Sequence, residues 1–348
     1  MNASHKPQSK STIYDIAREV RASPSTVSAA LGDNWKKRRI SEDTVERIRA
    51  VAARQGYTPN LQARGLRHAR SGLVALILPH HDNKYFSSLS ESFAREARNR
   101  GLCPVIVATH RDPAEESATV RDLLSYAIDQ LFIVAAHDPD AISQICHDAQ
   151  LRHVFIDHPS RHAPSVITDN REGARGLSNL ILASMPLPPG TGLAGVYFLG
   201  GDADQFATGD RIEGFREAMR QSSQPWDENQ IIPSTYDPGK TRESLVTLHA
   251  TLGGLPSGLL VNSITCFEGV LDFLGGLPED EINRCVFGCY DYDPLAALLR
   301  FPVHMVRQRH RALIQTAYEL LDTPEPAKLT VIAPEFYPAR LRSSSLGT

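Results

Sequence analysis

The stretch that decides the fold is Ser11–Leu31, which reads STIYDIAREVRASPSTVSAAL. Apolar residues recur in its first half at three- and four-residue spacing, which predicts an amphipathic helix beginning after Thr12. A break at Arg21–Ser23 follows. Ser23 then caps a second short helix that has Pro24 at its first position, where proline is favoured. Two short helices joined by so tight a break predict a helix-turn-helix unit.

Beyond this unit the chain continues with a basic loop, Lys36–Arg39, and with a third predicted helix that Ser41 caps. Gly56 supplies the left-handed residue that commonly ends a helix. We therefore expect an all-α helix-turn-helix head over residues 1–58. Residues 59–71 are expected to form a hinge helix and linker to the next domain.

The charges are divided unevenly along the chain. Residues 1–70 carry 14 Lys and Arg against 6 Asp and Glu, a net charge of +8, whereas the rest of the chain carries −11. A basic head on an acidic body indicates that the head binds a polyanion and that the body does not.

The composition also limits where the protein works. Apolar runs such as Leu73–Leu78 are far shorter than the ~20 residues of a membrane-spanning helix. The polar residues 1–10 lack the apolar stretch of a secretion signal. The five cysteines are scattered without the spacing of a zinc site, which favours small buried apolar residues in a reducing compartment. We expect a cytoplasmic protein with no metal and no cofactor.

After Gly72 short β-rich runs alternate with stretches long enough for helices, and this alternation predicts parallel sheets covered by helices on both faces. The runs form two series, so we predict an α/β body over residues 72–348 made of two doubly wound parallel-sheet lobes. The predicted strands are Leu73–Leu78, Pro104–Ala108, Leu131–Ala135, His153–Ile156, Ser165–Thr168, Gly195–Leu199, Gly258–Val261, Cys285–Gly288 and a final run, Leu329–Pro338. The N-lobe is expected to comprise about 72–168 plus 303–325, and the C-lobe about 169–302 plus 326–345.

The order of several segments resembles the lactose/galactose repressor (LacI/GalR) family of transcriptional regulators. The segments in the head are Thr12–Ala17, Ser23–Leu31, Arg39–Ser41 and Gly56–Asn60. In the body, Leu73–Pro79 is similar to the family's first regulatory strand and Asp210–Phe215 to its Arg-x-x-Gly-Phe segment. Within the family the chain looks like the fructose (catabolite repressor/activator) and sucrose-operon repressor branch. The resemblance implies lobes of periplasmic-binding-protein type and a homodimer or tetramer.

At one position the chain departs from the family pattern. Arg21 stands where the turn between the first two helices normally contains glycine. Arginine adopts a positive φ at a cost of ~1 kcal/mol or somewhat more. We therefore expect either a reshaped turn or a strained residue.

The resemblance also implies how the head binds duplex DNA. The second helix would lie in the major groove with Pro24, Ser25 and Ala29 towards the base edges, and such small side chains predict modest direct readout. Leu66, beside Ala63, would wedge into the minor groove. The residues expected at phosphates are Tyr14, Ser23, Thr26, Ser28, Tyr57 and Asn60. Lys36, Lys37 and Arg38 could form a solvated loop, but their place between two helices favours phosphate contact.

Polar side chains lie at many of the predicted strand ends in the body. Ligands of open parallel sheets bind beyond the carboxyl ends of the strands, and the resemblance places the family's effector contacts there. Asp, Asn and Arg supply the planar hydrogen-bonding groups that a sugar or sugar phosphate needs, and aromatic rings supply a flat surface. The candidate effector-binding residues are Asp82, Tyr85, Phe86, His110, Arg111, Asp169, Arg211, Asn262 and Asp291.

Two other classes of protein stay open. A periplasmic-type sugar-binding protein is opposed by Ser11–Arg67 and by the lack of a signal segment. A sugar-processing enzyme is opposed by the absence of a P-loop, a Gly-x-Ser-x-Gly motif and a zinc signature. We expect a sequence-specific transcriptional regulator of carbohydrate metabolism genes, in the simplest case a repressor, that binds a palindromic operator and is not an enzyme.

Overall fold

The computed structural model describes residues 11–32, 34–57, 70–185, 195–323 and 327–339. The chain divides into two compact units, Met1–Ser71 and Gly72–Thr348, which are called the head and the body below. No helix in the described ranges is long and apolar enough to cross a membrane.

The head contains three helices: α1, Ile13–Val20; α2, Pro24–Leu31; and α3, Glu42–Arg54. Thr12 caps α1 in a reciprocal capping box with Asp15, and hydroxyl groups of Ser23 and Ser41 cap the other two helices. The apolar stripe of each helix faces one small core whose centre is Ile16, Val27 and Ile48. The predicted helix-turn-helix is confirmed.

Arg21 adopts a backbone conformation that glycine favours. The residue has φ 53° and ψ 44°, in the left-handed region, and its backbone N–H donates to the carbonyl of Ala17. Of the two alternatives, the strained residue is the one that occurs. Arginine therefore carries a conformational cost of about 1 kcal/mol at the end of α1.

The body contains twelve strands and nine helices among its described residues. The strands are β1, Leu73–Leu78; β2, Cys103–Ala108; β3, Gln130–Val134; β4, Arg152–Ile156; β5, Ser165–Thr168; β6, Val196–Leu199; β7, Ile231–Ile232; β8, Gly258–Val261; β9, Val286–Tyr290; β10, Val303–Arg307; β11, Leu329–Ile332; and β12, Glu335–Tyr337. The helices are α4, Lys84–Asn99; α5, Pro113–Ser125; α6, Pro139–Asp148; α7, Asn170–Ser184; α8, Phe206–Gln221; α9, Pro238–Leu252; α10, Ile264–Leu274; α11, Glu279–Ile282; and α12, His310–Asp322.

The strands form two six-stranded sheets, one in each lobe. The N-lobe sheet has the order β11-β5-β4-β3-β1-β2, and the C-lobe sheet has the order β12-β10-β9-β8-β6-β7. All neighbours are parallel except β10 and β12. The strand order reverses between β1 and β3 and again between β6 and β8, and such switch points are where doubly wound sheets bind ligands.

Two of the expected lobe boundaries were wrong. The sequence pattern predicts Val303–Arg307 in the N-lobe, but this segment forms β10 of the C-lobe sheet, where Val303 and Met305 pack in that lobe's core. The pattern predicts the whole final run Leu329–Pro338 in the C-lobe, but β11 joins the N-lobe sheet and only β12 joins the C-lobe sheet. Pro334, between the two strands, lacks the N–H that a continuous ladder needs.

The chain passes between the lobes three times. It crosses at Asp169, which follows β5; at Gln308 and Arg309, which follow β10; and at Ala333 and Pro334, between β11 and β12. β5 and β11 lie together at one edge of the N-lobe sheet, and β10 and β12 lie together at one edge of the C-lobe sheet. The three crossovers therefore leave both sheets from the same side of the body.

Candidate functional sites

The N-terminus of α2 presents small polar groups to solvent. The Oγ of Ser23 accepts a hydrogen bond from the backbone N–H of Thr26 at 3.1 Å and lies 2.8 Å from the hydroxyls of both Ser25 and Thr26. Pro24 and Ser25 are exposed, as base readout requires. Ala29 is 7% exposed, and its role at a base edge stays a prediction.

The predicted phosphate-binding residues differ in accessibility. Tyr14 is 66% exposed, which leaves its ring and hydroxyl group accessible to a partner. Ser23 is exposed as well, whereas Thr26, Ser28 and Tyr57 are half-buried. Asn60, Ala63 and Leu66 lie outside the described residues, so their predicted roles stay predictions.

The basic loop forms an ordered turn. Backbone N–H groups of Arg38 and Ile40 donate to the carbonyls of Asn34 and Trp35, each at 3.1 Å. The Trp35 ring packs against the head's core, and the ammonium group of Lys36 lies 5.2 Å from its centroid. The four cations of Lys36–Arg39 are exposed. A rigid turn that presents cations loses less conformational entropy on meeting phosphate than a flexible loop would.

In the body, a cleft between the lobes holds a small polar pocket. The carboxyl ends of strands from both sheets contribute to it, as the fold predicts. It is lined by Asn83, Tyr85, Phe86, Arg111, Asp157, Arg211, Tyr236, Ser263, Asp291 and Gln308.

Arg211, near the start of α8, is the buried cation of this pocket and is 3% exposed. Its Nε donates to the Oδ1 of Asn170 at 2.9 Å and its Nη1 to the carbonyl of Asn262 at 2.7 Å. Burial by itself lowers the pKa of Arg211, but Tyr236, Tyr290 and the nearby carboxyl groups raise the pKa above its ordinary value. The guanidinium group is therefore held charged and fixed in direction.

Asp157 and Asp291 occupy matching positions in the two lobes. Each is the first residue after its strand, β4 or β9, and each has a positive φ, 72° and 85°. Asp291 accepts hydrogen bonds from the side chain of Gln308 at 2.8 Å and from the backbone of Ile264 at 3.4 Å. Burial raises the pKa of the Asp157 carboxyl, although Arg211 opposes that effect. Two aspartates and Arg211 thus supply both acceptors and donors to one ligand.

Several buried polar atoms at or beside the pocket lack a well-formed hydrogen bond within the described part of the chain, and two of them, the Tyr85 hydroxyl and the Asp157 carboxyl, lie close to each other. A buried polar group without a partner costs about 1–3 kcal/mol, so such atoms rarely cluster without a ligand or water between them. They are the hydroxyls of Tyr85 and Tyr290, the Oδ1 of Asp157, both amide atoms of Asn262 and the Oε1 of Gln308.

Five of the nine predicted effector-binding residues line the pocket together: Tyr85, Phe86, Arg111, Arg211 and Asp291. Asn262 lies beside it, with its carbonyl on Arg211. The other three do not line it. Asp82 is exposed, the exposed His110 lies 3.5 Å from Glu115, and Asp169 caps α7 through the N–H of Glu172 at 2.9 Å.

Asn83 is one of the polar residues that follow the first predicted strand, and it lines the pocket. Sequence reasoning did not single out Tyr236, Ser263 and Gln308, although all three line the pocket as well. Ser263 caps a helix two residues after a strand, a signal that could have identified it. Among the described residues no group of three or more His, Cys, Asp or Glu side chains is arranged to hold a metal ion.

Three polar contacts connect the lobes around the cleft. Asn83 donates to the hydroxyl of Thr265 at 3.0 Å, Arg111 donates to the Oε1 of Gln205 at 2.6 Å, and Lys84 forms an ion pair with Asp293. A ligand in the cleft is therefore enclosed by groups from both lobes.

Comparisons with known proteins agree with this architecture. Residues 12–60 match the profile of the bacterial regulatory proteins of the lacI family. The chain is 43% identical to the ribitol operon repressor of Klebsiella aerogenes over 192 residues, which cover 55% of this chain and 71% of that protein. It is 30% identical to the sucrose operon repressor of Klebsiella pneumoniae over 326 residues, 90% of this chain and 94% of that protein.

Solved structures share the fold. A lac repressor dimer bound to operator and the anti-inducer ONPF superposes with a TM-score of 0.77 at 18% identity, covering 96% of this chain and 98% of that one. The Cra transcriptional dual regulator of Pseudomonas putida in complex with fructose 1-phosphate superposes with a TM-score of 0.69 at 21% identity, covering 78% and 99%.

A helix-turn-helix head and a two-lobed α/β body with a polar cleft define a ligand-responsive DNA-binding regulator. The chain belongs to the LacI family of bacterial transcription regulators. It is not an enzyme, and the two competing classes considered from the sequence are set aside.

Proposed function

We propose that this regulator acts in the cytoplasm, binds a palindromic operator as a homodimer and represses genes of sugar or polyol metabolism. An uncharged polyhydroxyl compound in the cleft controls it. The observation that carries the proposal is the cluster of unpartnered buried polar atoms around Arg211. A sugar or sugar alcohol presents hydroxyl groups that both donate and accept, and it can satisfy amide, carboxyl and phenol groups together.

The charges around the pocket favour an uncharged ligand. Arg211 and Arg111 are balanced by Asp157 and Asp291, and Arg211 already donates to two protein acceptors. A phosphate dianion placed here would lie close to two carboxyl groups, and like charges at such range repel strongly in a buried site. Ribitol and sucrose, which the names of the two relatives mention, are both uncharged polyols.

A sugar phosphate is the second candidate. Arg111 is less buried than Arg211, and its contact with Gln205 is one that a phosphate could replace. The structural relative from Pseudomonas putida was solved with fructose 1-phosphate. The two candidates differ in which arginine the ligand needs.

Exposed leucines support the dimer. Leu298, which is 75% exposed, and Leu295 lie in the short 3₁₀ helix Pro294–Leu298 of the C-lobe. We infer that these leucines belong to the surface that the two copies share. Sedimentation of the full chain and of its Leu298→Asp variant tests whether these leucines hold a dimer together. The wild type should sediment as a dimer and the variant should dissociate, and a monomeric wild type would contradict the proposed dimer.

The effector is tested by calorimetry of the full chain with ribitol, sucrose and fructose 1-phosphate, each repeated with Arg211→Lys and Arg111→Ala. An uncharged ligand should lose at least about tenfold in affinity in Arg211→Lys, because lysine cannot reproduce the two directed hydrogen bonds. The phosphate candidate would instead be established if the wild type binds fructose 1-phosphate but neither ribitol nor sucrose, and if Arg111→Ala abolishes that binding. Binding of none of the three, with no release from an operator duplex in a mobility-shift titration, contradicts the proposed effector class.

A further inference from the structure

Arg21, in the turn between α1 and α2, has an exposed side chain whose guanidinium group forms no hydrogen bond or ion pair with the residues that the structure describes. Its backbone has φ 53°, and its N–H donates to the carbonyl of Ala17. Glycine makes the same backbone contact without the Cβ penalty. Within the described head, therefore, no contact of this side chain offsets the cost of its backbone conformation.

The two carboxyl groups of α1 are engaged elsewhere and leave the charge of Arg21 uncompensated. The Oδ2 of Asp15 accepts from the backbone N–H of Thr12 at 3.0 Å and from its hydroxyl at 2.6 Å. Glu19 forms an ion pair with Arg54 of α3. The head already carries an excess of positive charge, so an unpaired cation at the turn is available to an anion from outside.

The nearest structural feature along the chain is the N-terminus of α2. Ser23, which caps α2, comes two residues after Arg21, a separation of at most about 7 Å along the backbone. The Oγ of Ser23 lies 2.8 Å from the hydroxyls of Ser25 and Thr26, and the first turn of α2 contains no acidic residue. Hydroxyl groups at the positive end of a helix favour phosphate, and Arg21 adds a full cation beside them.

A second arginine of the head has the same unusual backbone. Arg39, at the end of the basic turn, has φ 54°, and Arg21 and Arg39 are the two non-glycine residues with positive φ among the described residues of the head. Arg39 belongs to the surface that is predicted to meet DNA. The head thus accepts a strained backbone at two positions where the residue brings an exposed positive charge.

We propose that Arg21 binds, together with Ser23, the operator phosphate that meets the N-terminus of α2. Glycine at this position leaves the turn relaxed but has no side chain to reach a phosphate. The arginine therefore lowers the stability of the head and raises its affinity for DNA of any sequence. The inference rests on the proposed function, because it takes an operator duplex as the target of the head.

The test is fluorescence anisotropy of the full chain with two labelled duplexes, an operator that the wild type selects from random-sequence DNA and a duplex of mixed sequence. Arg21→Gly should lower the affinity for the operator about tenfold, and the slope of log affinity against log salt should fall by about 0.9 for each bound head. The affinity for the mixed duplex should fall by the same factor within about twofold, since a phosphate contact carries no sequence information.

Three comparisons isolate the phosphate contact. Arg21→Lys keeps a cation and should retain most of the salt slope. Arg49→Gln removes an equal charge from the exposed face of α3 and should change the slope by less than about 0.3. The head of Arg21→Gly should unfold at a denaturant concentration no lower than that of the wild type, so its loss of DNA affinity cannot come from unfolding.

The outcomes separate this inference from the proposed function. If the wild type binds the operator but Arg21→Gly keeps its affinity and salt slope, the phosphate contact is wrong and operator binding stands. An equal loss in Arg49→Gln, or a loss in Arg21→Lys as large as that in Arg21→Gly, also overturns the contact. If the wild type selects no duplex from random-sequence DNA, both the contact and the proposed operator binding are wrong.

Discussion

The guanidinium group of Arg211 lies 3.8 Å from the ring centroid of Tyr290, the last residue of β9. The stack fixes the plane of the cation while its hydrogen bonds to Asn170 and Asn262 fix its direction. Cation–π contacts of this kind contribute about 0.5–2 kcal/mol, more where water is excluded. The geometry of the pocket is therefore set before a ligand arrives.

Tyr290→Phe separates the stacking role of this ring from the role of its hydroxyl group. The hydroxyl is buried and has no partner among the described residues, so its removal should change the free energy of unfolding by less than about 1 kcal/mol. Effector affinity should fall about fivefold if the hydroxyl contacts the ligand. Tyr290→Leu, which also removes the stack, should cost about 2–4 kcal/mol. Chemical denaturation and calorimetry measure both quantities, and equal destabilisation by the two variants would contradict this division.

Gly214→Ala should destabilise the C-lobe by about 2–3 kcal/mol. A Cβ atom at Gly214 would lie 2.1 Å from the backbone carbonyl oxygen of Arg171, so α7 and α8 would have to move apart. Gly209→Ala is the matched control on the same helix, because its Cβ would have only an ordinary contact of 3.7 Å. The control should be neutral or stabilising by up to about 1 kcal/mol. Urea titrations compare the two, and similar effects would show that helix packing is not the cause.

Arg21→Gly should stabilise the head by about 1 kcal/mol, since glycine adopts the left-handed conformation without the Cβ penalty. Unfolding of the head can be followed by tryptophan fluorescence. The chain has two tryptophans, Trp35 in the head and Trp226 in the body, so in a Trp226→Phe background the signal comes from the head alone. Arg18→Gly, inside α1, should destabilise by a similar amount. A loss of stability in Arg21→Gly would mean that the arginine side chain makes a contact that outweighs the strain.

Replacing Lys36, Lys37 and Arg38 together by alanine should reduce the salt dependence of operator binding. If all three meet phosphate, the slope of log affinity against log salt falls by about 2.7, since each phosphate contact contributes about 0.9. Fluorescence anisotropy with an operator duplex between 50 and 200 mM salt measures the slope. The exposed Arg98→Ala in the body serves as the charge control. An unchanged slope in the triple variant assigns the basic turn to solvent.

His153 should make the N-lobe less stable in mild acid. Its Nε2 lies 2.9 Å from the hydroxyl of Ser143 and its Nδ1 lies 2.9 Å from the carbonyl of Leu151. Burial lowers the pKa of His153, and the ring of His147, 5.0 Å away, acts in the same direction. The unfolded state therefore binds the proton more readily, so stability is full above about pH 6.5 and falls as the pH drops below that value. From pH 7 to pH 5, the Tm of the wild type should fall more than the Tm of His153→Gln. A difference between the two Tm values that stays constant over this range would contradict the prediction.

Sequence patterns predicted the strands that are buried on both faces, such as Leu73–Leu78 and Gly258–Val261, because a continuous apolar run bounded by polar residues has few other uses. β10 was missed as a strand of the C-lobe, since His304 and Arg307 interrupt its apolar pattern and only pairing with β9 fixes its place. Tyr236 and Gln308 were missed in the pocket because their convergence depends on distances between lobes, which no local pattern contains.

The position of the three crossovers decides which contacts respond to motion between the lobes. All three crossovers join the sheet edge formed by β5 and β11 to the sheet edge formed by β10 and β12. A rotation of one lobe about the crossovers therefore displaces the opposite sheet edges most. Those edges are formed by β2 and β7. Arg111 follows β2, and Gln205 precedes α8 next to β6 and β7, which puts this pair at the end of the longest lever arm. A few degrees of rotation there should exceed the reach of one hydrogen bond, while Asp291 and Gln308 near the axis stay paired. The distance between Arg111 and Gln205 therefore measures how far the cleft has opened.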